Sequence, residues 1–152
     1  MPPHAVAPLE SHLGYWLRMV SNAVSRNFAR EVEAEGVTVA EWAFMRVLYD
    51  SDGLAPTALA DRMGMTKGAI TKLADRLMVK GLLGRMANPD DRRAQTLALT
   101  QSGRSLVPRL ATLADENDAA FFAGLKPRDR IDLDRILKRI VASSKLQGMP
   151  TD

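Results

Sequence analysis

Pro56-Thr-Ala-Leu-Ala-Asp-Arg-Met-Gly64 and Thr66-Lys-Gly-Ala-Ile-Thr-Lys-Leu-Ala-Asp-Arg-Leu77 are two short helical patterns that meet across a glycine turn. Behind them come Gly81-Leu-Leu, a charged loop Asn88-Pro-Asp-Asp-Arg-Arg93 and an alternating run Thr96-Leu-Ala-Leu-Thr100. Two helices across a tight turn, then a hairpin with a charged tip, is the outline of a winged helix-turn-helix. The second helix of the pair is the one such a device presents to a partner. Ile70, Leu73 and Leu77 share its inward face, while Gly68, Thr71, Lys72, Asp75 and Val79 point outward at 100° per residue. Thr66 is the natural N-cap, and the free N–H groups of the helix start suit phosphate. Lys67 and Arg76 flank the outward face. Gly68 costs about 1 kcal/mol against Ala in a helix, which makes sense where another molecule approaches closely. A recognition helix in a DNA major groove explains the missing side chain and the basic flanks together. An ordinary solvated amphipathic helix explains them one at a time.

The hairpin tip follows the same division. Arg is favoured in a narrow, electronegative minor groove, and Asp91 beside Arg92 and Arg93 can orient one guanidinium by a fork-like ion pair. A solvated turn with self-neutralising charges reads equally well from the loop alone. Between Pro56 and Thr100 eight Lys or Arg stand against four Asp, a net +4, whereas the remainder carries thirteen basic and fourteen acidic residues, a net −1. The positive field thus sits on the reading device, as double-stranded DNA requires. A basic face without a partner stays open on charge alone.

Outward from this centre the chain is helical. Leu9, Leu13, Leu17, Val20, Val24, Phe28 and Val32 recur at helical spacing until Gly36. They predict a helix of roughly 27 residues, about 40 Å long. Thr38-Val-Ala-Glu41 reads as a capping box opening a helix through Trp42, Met45, Leu48 and Tyr49. After the hairpin, Thr100-Gln-Ser-Gly103 caps a helix carrying Leu106, Leu110, Leu113, Phe121 and Phe122, with a bend expected at Pro108. Pro127 opens the last helix, whose Leu133, Ile136, Leu137, Ile140 and Val141 form one apolar face. The first few residues and those after Gln147 read as disordered. The expected fold is mainly α with a small β-hairpin wing, a single domain over 1–152: a winged helix-turn-helix lobe at 38–100 and a helical dimerisation region from both chain ends, 9–35 and 101–146. The apolar stripes of the first and last two helices exceed what a small lobe covers, so a two-fold homodimer is the economical arrangement. One monomeric core is the other arrangement.

The 152 residues include no cysteine, which excludes disulfides and thiolate metal or redox sites, and two histidines, His4 and His12, too few for a histidine-based metal site. No cofactor is expected. No apolar run approaches the ~20 residues of a membrane span, and the start lacks the plan of a secretory signal, so a cytoplasmic protein without membrane association is expected. No nucleophile–base set, phosphate loop or carboxylate pair suggests an enzyme. A winged-helix scaffold that binds protein is the remaining alternative, which a neutral or acidic outward helix face would have favoured.

The pattern resembles the multiple-antibiotic-resistance regulator (MarR) family. The family's Asp-x-Arg wing signature and aliphatic-x-aliphatic-Thr-x-x-Gly ending are met by Asp91, Arg93, Leu97, Leu99, Thr100 and Gly103. Leu59-Ala60 and Asp75-Arg76-Leu77 followed by Gly81-Leu82 match its other motifs. The resemblance implies an obligate homodimer that represses genes, with Arg93 in the minor groove and the helix from Thr66 in the major groove. It also implies release by a small, often aromatic and anionic effector bound between lobe and dimerisation helices. His12, Tyr15 and Trp16, with Met45, Arg46 and Tyr49, are a candidate lining, although such residues at helical spacing also read as plain core. Two departures stand out: Ala55 replaces a Ser or Thr cap, and Gly84 replaces a basic residue.

Overall fold

A computed structural model describes residues 5–88 and 90–151, with the backbone alone at 88 and 91–94. The elements are a 3-10 turn at Leu9–Ser11, α1 (Leu13–Ala34), α2 (Val39–Tyr49), α3 (Pro56–Met63), α4 (Lys67–Val79), β1 (Leu83–Asn88), β2 (Asp91–Leu99), α5 (Gln101–Phe121) and α6 (Pro127–Ser143). The architecture is mainly helical with one antiparallel hairpin, a winged helix-turn-helix lobe from which helices of both chain ends extend.

The lobe is assembled by apolar faces turned inward. Phe44, Met45 and Leu48 of α2, Leu59 and Met63 of α3, and Ile70 and Leu77 of α4 are fully buried. Leu83, Leu97 and Leu99 close this core from the hairpin, and Val32 of α1 with Val107 and Leu110 of α5 join it from the chain ends. The hairpin pairs Leu83 with Leu99 and Arg85 with Leu97. Leu54 adds a one-residue third strand, exchanging backbone hydrogen bonds with Leu97 at 2.8 and 2.9 Å. α1 and α5 are pinned by a partly buried amide contact, Asn27 Nδ2 donating to Asn117 Oδ1 at 2.5 Å, and by the Arg109–Glu35 ion pair.

Four expectations need correction. The first helix begins at Leu13, not Leu9, because His12 is extended (φ −98°, ψ 126°). The Ser11 hydroxyl donates to Pro8 O at 2.7 Å and the Trp16 indole N–H to Glu10 O at 2.9 Å. These local bonds compete with a helical ladder. The capping box is half made: Thr38 Oγ accepts from Glu41 N–H, but the Glu41 side chain turns inward. The hairpin strands are longer than expected and absorb 91–93 into β2. Met86, Ala87 and Gln95 are all exposed, so backbone pairing and no apolar alternation marks this part of the hairpin. Finally, the segment after Gln147 is placed against the lobe, Met149 N–H donating to Met63 O at 3.2 Å.

α5 continues unbroken across Pro108, and Pro127 occupies the first turn of α6 as expected. α6 has no buried residue, its Ile136, Ile140 and Val141 being 43%, 45% and 47% exposed. Leu13 and Leu17 on α1 are 88% and 54% exposed. Among the described residues no helix is long and apolar enough to cross a membrane, and no group of side chains could hold a metal ion.

Candidate nucleic-acid interface

The outward face of α4 is built from its first residue. Thr66 Oγ accepts from Ala69 N–H at 3.1 Å, which fixes the helix start and leaves the earlier N–H groups facing solvent. Gly64 makes the sharp turn before it, in the left-handed conformation (φ 64°) that closes α3. Ile70, Leu73, Ala74 and Leu77 point into the core, so Thr66, Lys67, Gly68, Thr71, Lys72, Asp75 and Arg76 are left exposed on the opposite side. Thr71 Oγ donates to Lys67 O at 3.0 Å, which fixes the rotamer of this exposed side chain. A Cβ added at Gly68 would meet only Thr66 Oγ, at 4.0 Å. Packing within the chain therefore does not require glycine there. Ala55 gives α3 no side-chain cap, as its methyl dictates, and Pro56 at the first turn starts the helix instead.

Among the described side chains of this region, Lys80 and Arg85 form ion pairs within the chain. Lys80, at the C-terminal end of α4, places Nζ 2.7 and 3.0 Å from the two carboxylate oxygens of Glu41, which is 1% exposed. Arg85 on β1 lies 3.4 Å from Asp75 on α4, bridging wing and helix at the exposed surface. Among the described residues Lys67, Lys72 and Arg76 form no ion pair, so their charge faces outward. The side chains of Asp91, Arg92 and Arg93 lie outside the described residues; their backbone occupies the first part of β2, next to the hairpin tip.

The ion pairs of Arg85 and Lys80 beside the α4 face are contacts that sequence reasoning missed. Arg85 follows Gly84, where a basic residue had been noted as lacking, and the hairpin register carries it over α4. Strand alternation from Leu83 (an inward apolar residue, then Gly84, then Arg85) was the available signal.

The base of the wing is locked by the Thr100–Gly103 pattern. Thr100 Oγ accepts from Gly103 N–H at 3.1 Å and donates to Gly81 O at 2.7 Å. Arg104 then reaches the end of α2, donating to Ser51 O at 2.7 Å and Tyr49 O at 3.3 Å. Helix, hairpin and α5 are thereby held as one unit.

The six candidate effector residues do not converge. His12 and Tyr15 line a surface groove along α1, with Trp16 edge-on to Tyr15 at 5.1 Å. Met45 is completely buried in the lobe core, and Tyr49 sits under the guanidinium groups of Arg46 and Arg104, each 5.8 Å from its ring. Arg46 lines a different cleft of ≈ 370 Å³ between α1, α2 and α5, with Val24, Phe28, Trp42 and Asn117. Helical periodicity placed the first three on one face but could not register α1 against α2. Those helices meet at Phe28 and Trp42, whose rings are 6.4 Å apart.

The MarR family model matches residues 37–94, the span from the start of α2 into the wing. A protein of Thauera aromatica assigned to transcriptional regulation of the hcr operon is 33% identical over 133 residues, covering 87% of this chain and 80% of that protein. The transcriptional repressor Rv2887 of Mycobacterium tuberculosis is 26% identical over 131 residues, covering 86% and 94%. The structure of Bordetella bronchiseptica BpsR, from work on regulation of its DNA binding by 6-hydroxynicotinic acid, superposes with TM-score 0.75 at 21% identity, covering 90% and 97%. With the outward basic face of α4, the wing beside it and this relationship along nearly the whole chain, the protein belongs to the MarR family of DNA-binding transcriptional regulators.

Proposed function

We propose that the chain acts as a homodimeric repressor that reads an inverted-repeat operator with two copies of α4. The observation that carries this reading is the face formed by Thr66, Lys67, Gly68, Thr71, Lys72 and Arg76: basic, exposed and without packing partners in the chain. In this reading the helix start and Lys67 hold phosphate, Thr71 and Lys72 meet base edges in the major groove, and Arg76 steadies the backbone. Arg93, oriented by Asp91 and next to Arg92, enters the minor groove from the wing. The exposed stripes of α1 and α6 support a two-fold pairing through 9–35 and 101–146, with 38–100 as the reading lobe. Half-sites then lie about one helical turn apart. The repressor role of the mycobacterial relative supports the sign of regulation.

Fluorescence anisotropy with an inverted repeat taken from the promoter region tests this. Arg93→Ala should weaken binding to every site at least tenfold and leave the ranking of major-groove variants unchanged. Tight binding by that variant would remove the wing from the mechanism.

Effector release is the second part of the reading. It moves from the α1 aromatics to the cleft holding Trp42 and Arg46, a site between lobe and chain-end helices. Among the described residues Arg46 forms its ion pair with exposed Asp50, at 2.7 Å, a bond that a ligand carboxylate can replace. A planar aromatic anion of the kind that regulates BpsR suits Trp42 and Arg46 together. Tenfold weaker DNA binding needs about 1.4 kcal/mol of coupling. Quenching of tryptophan emission by aromatic carboxylates, lost in Arg46→Ala, is the expected result; equal binding by that variant would discard the site.

A further inference from the structure

The residues beyond α6 double back onto the lobe. α6 closes at Ser144, where Lys145 N–H donates to Ala142 O at 3.3 Å and Leu146 N–H to Val141 O at 3.0 Å. Lys145 (φ 52°) is the only non-glycine residue with a left-handed backbone among those described. That conformation is unfavourable for a residue with a side chain, and it reverses the chain at this point. Gly148 (φ 90°) makes a second reversal.

Three separate contacts then receive the segment. Met149 N–H donates to Met63 O, a carbonyl at the end of α3 that the helix itself cannot bond. Gly148 Cα lies 2.7 Å from where a Cβ on Gly64 would stand, so any side chain at the helix-turn-helix corner would strike the passing backbone. Met149 and Pro150 line the ≈ 370 Å³ cleft together with Phe28, Trp42 and Asn117.

We propose that Leu146–Thr151 is an intrachain strap. It walls one side of the cleft between the reading lobe and α1/α5 with Met149 and Pro150, and it clasps the corner that launches the recognition helix. A ligand too large for the ≈ 370 Å³ left beside Met149 and Pro150 must displace the chain's own segment, so its apparent affinity is scaled down by the fraction of molecules with the strap open. Displacement also frees the Gly64 corner, which links occupancy of the cleft to the pose of α4. The contacts lie within one chain, so the strap stands or falls independently of the operator and of any effector.

Hydrogen exchange read by mass spectrometry on the intact protein tests it. The Met149 amide should exchange at least tenfold more slowly than in an unstructured peptide of residues 144–152. Ending the chain after Leu146 should speed exchange at Gly64 and Met65 at least threefold and increase acrylamide quenching of tryptophan emission as Trp42 loses cover. Gly64→Ala should abolish Met149 protection. Because that substitution also strains a left-handed backbone, its Tm loss is compared in both lengths of chain and should be larger in the intact one. Exchange of Met149 at the peptide rate, or equal Tm losses in the two backgrounds, would overturn the strap.

Discussion

Two glycines of this chain are glycines for opposite reasons. A Cβ on Gly103 would stand 2.3 Å from the Leu82 carbonyl oxygen, part of the fixed backbone at the base of the wing. Helix propensity favours Ala there by about 1 kcal/mol. The clash reverses the sign, and Gly103→Ala should destabilise the protein by on the order of 1–2 kcal/mol, measured by urea unfolding. Gly68 has open space around it. Gly68→Ala should therefore raise stability by about 0.5–1 kcal/mol while weakening operator binding at least tenfold. A variant more stable and equally tight on DNA would show that nothing approaches closely at Gly68. Glu41 offers a third residue-level test, since it is buried and Lys80, 37% exposed, satisfies both its oxygens. Lys80→Ala should cost about 2–3 kcal/mol, below the usual toll of a broken buried pair because water reaches this one. Glu41→Gln with Lys80→Met should restore most of the loss, which a double-mutant cycle measures. The Thr100–Gly103 pattern was legible in the sequence as a helix cap. The clash that demands its glycine was not, because Leu82 lies in the turn before β1, distant in sequence.

At the level of elements, helices α2 to α4 were legible because each carries a stop or start signal of its own: Gly64, Thr66 and Thr38 do in the structure what their chemistry predicts. The outer parts of β1 and β2 were not legible, since Met86, Ala87 and Gln95 are all exposed and give no apolar alternation to read. The effector candidates failed to converge for the same kind of reason: periodicity assigns a face to each helix but not the crossing point of two. Arg85 shows what a register adds. It lies 3.4 Å from Asp75, and if α4 meets DNA as proposed, this pairing offsets the repulsion between that carboxylate and phosphate. Arg85→Ala should reduce operator affinity about three- to tenfold, and Asp75→Asn in that background should recover most of it. Failure of the second change to rescue would place Arg85 on the DNA directly.

For the whole molecule, the exposed faces of α1 and α6 make stability a matter of concentration. If the folded subunit is completed only by pairing, the thermal midpoint should rise with protein concentration, which calorimetry over a hundredfold range would reveal. A constant midpoint together with monomeric light scattering would refute the two-fold arrangement. With about ten phosphates contacted per dimer, log affinity should fall against log salt with a slope near −9. A slope close to zero would revive a protein partner. The expectation of chain ends extending from the lobe came from uncovered stripes, a signal strong in the sequence. The strap carried no such signal, because a backbone hydrogen bond and a glycine contact leave no pattern of side chains. α5 runs unbroken from the wing base at Thr100 to Phe121. Its 21 residues make a rod of about 30 Å at 1.5 Å per residue. Such a rod is a lever: tilting its far end by about 5° swings the hairpin base by about 2.6 Å, close to the ~3.4 Å between stacked base pairs. A rearrangement at the chain ends too small to break any contact would therefore carry the wing most of one base step along the groove.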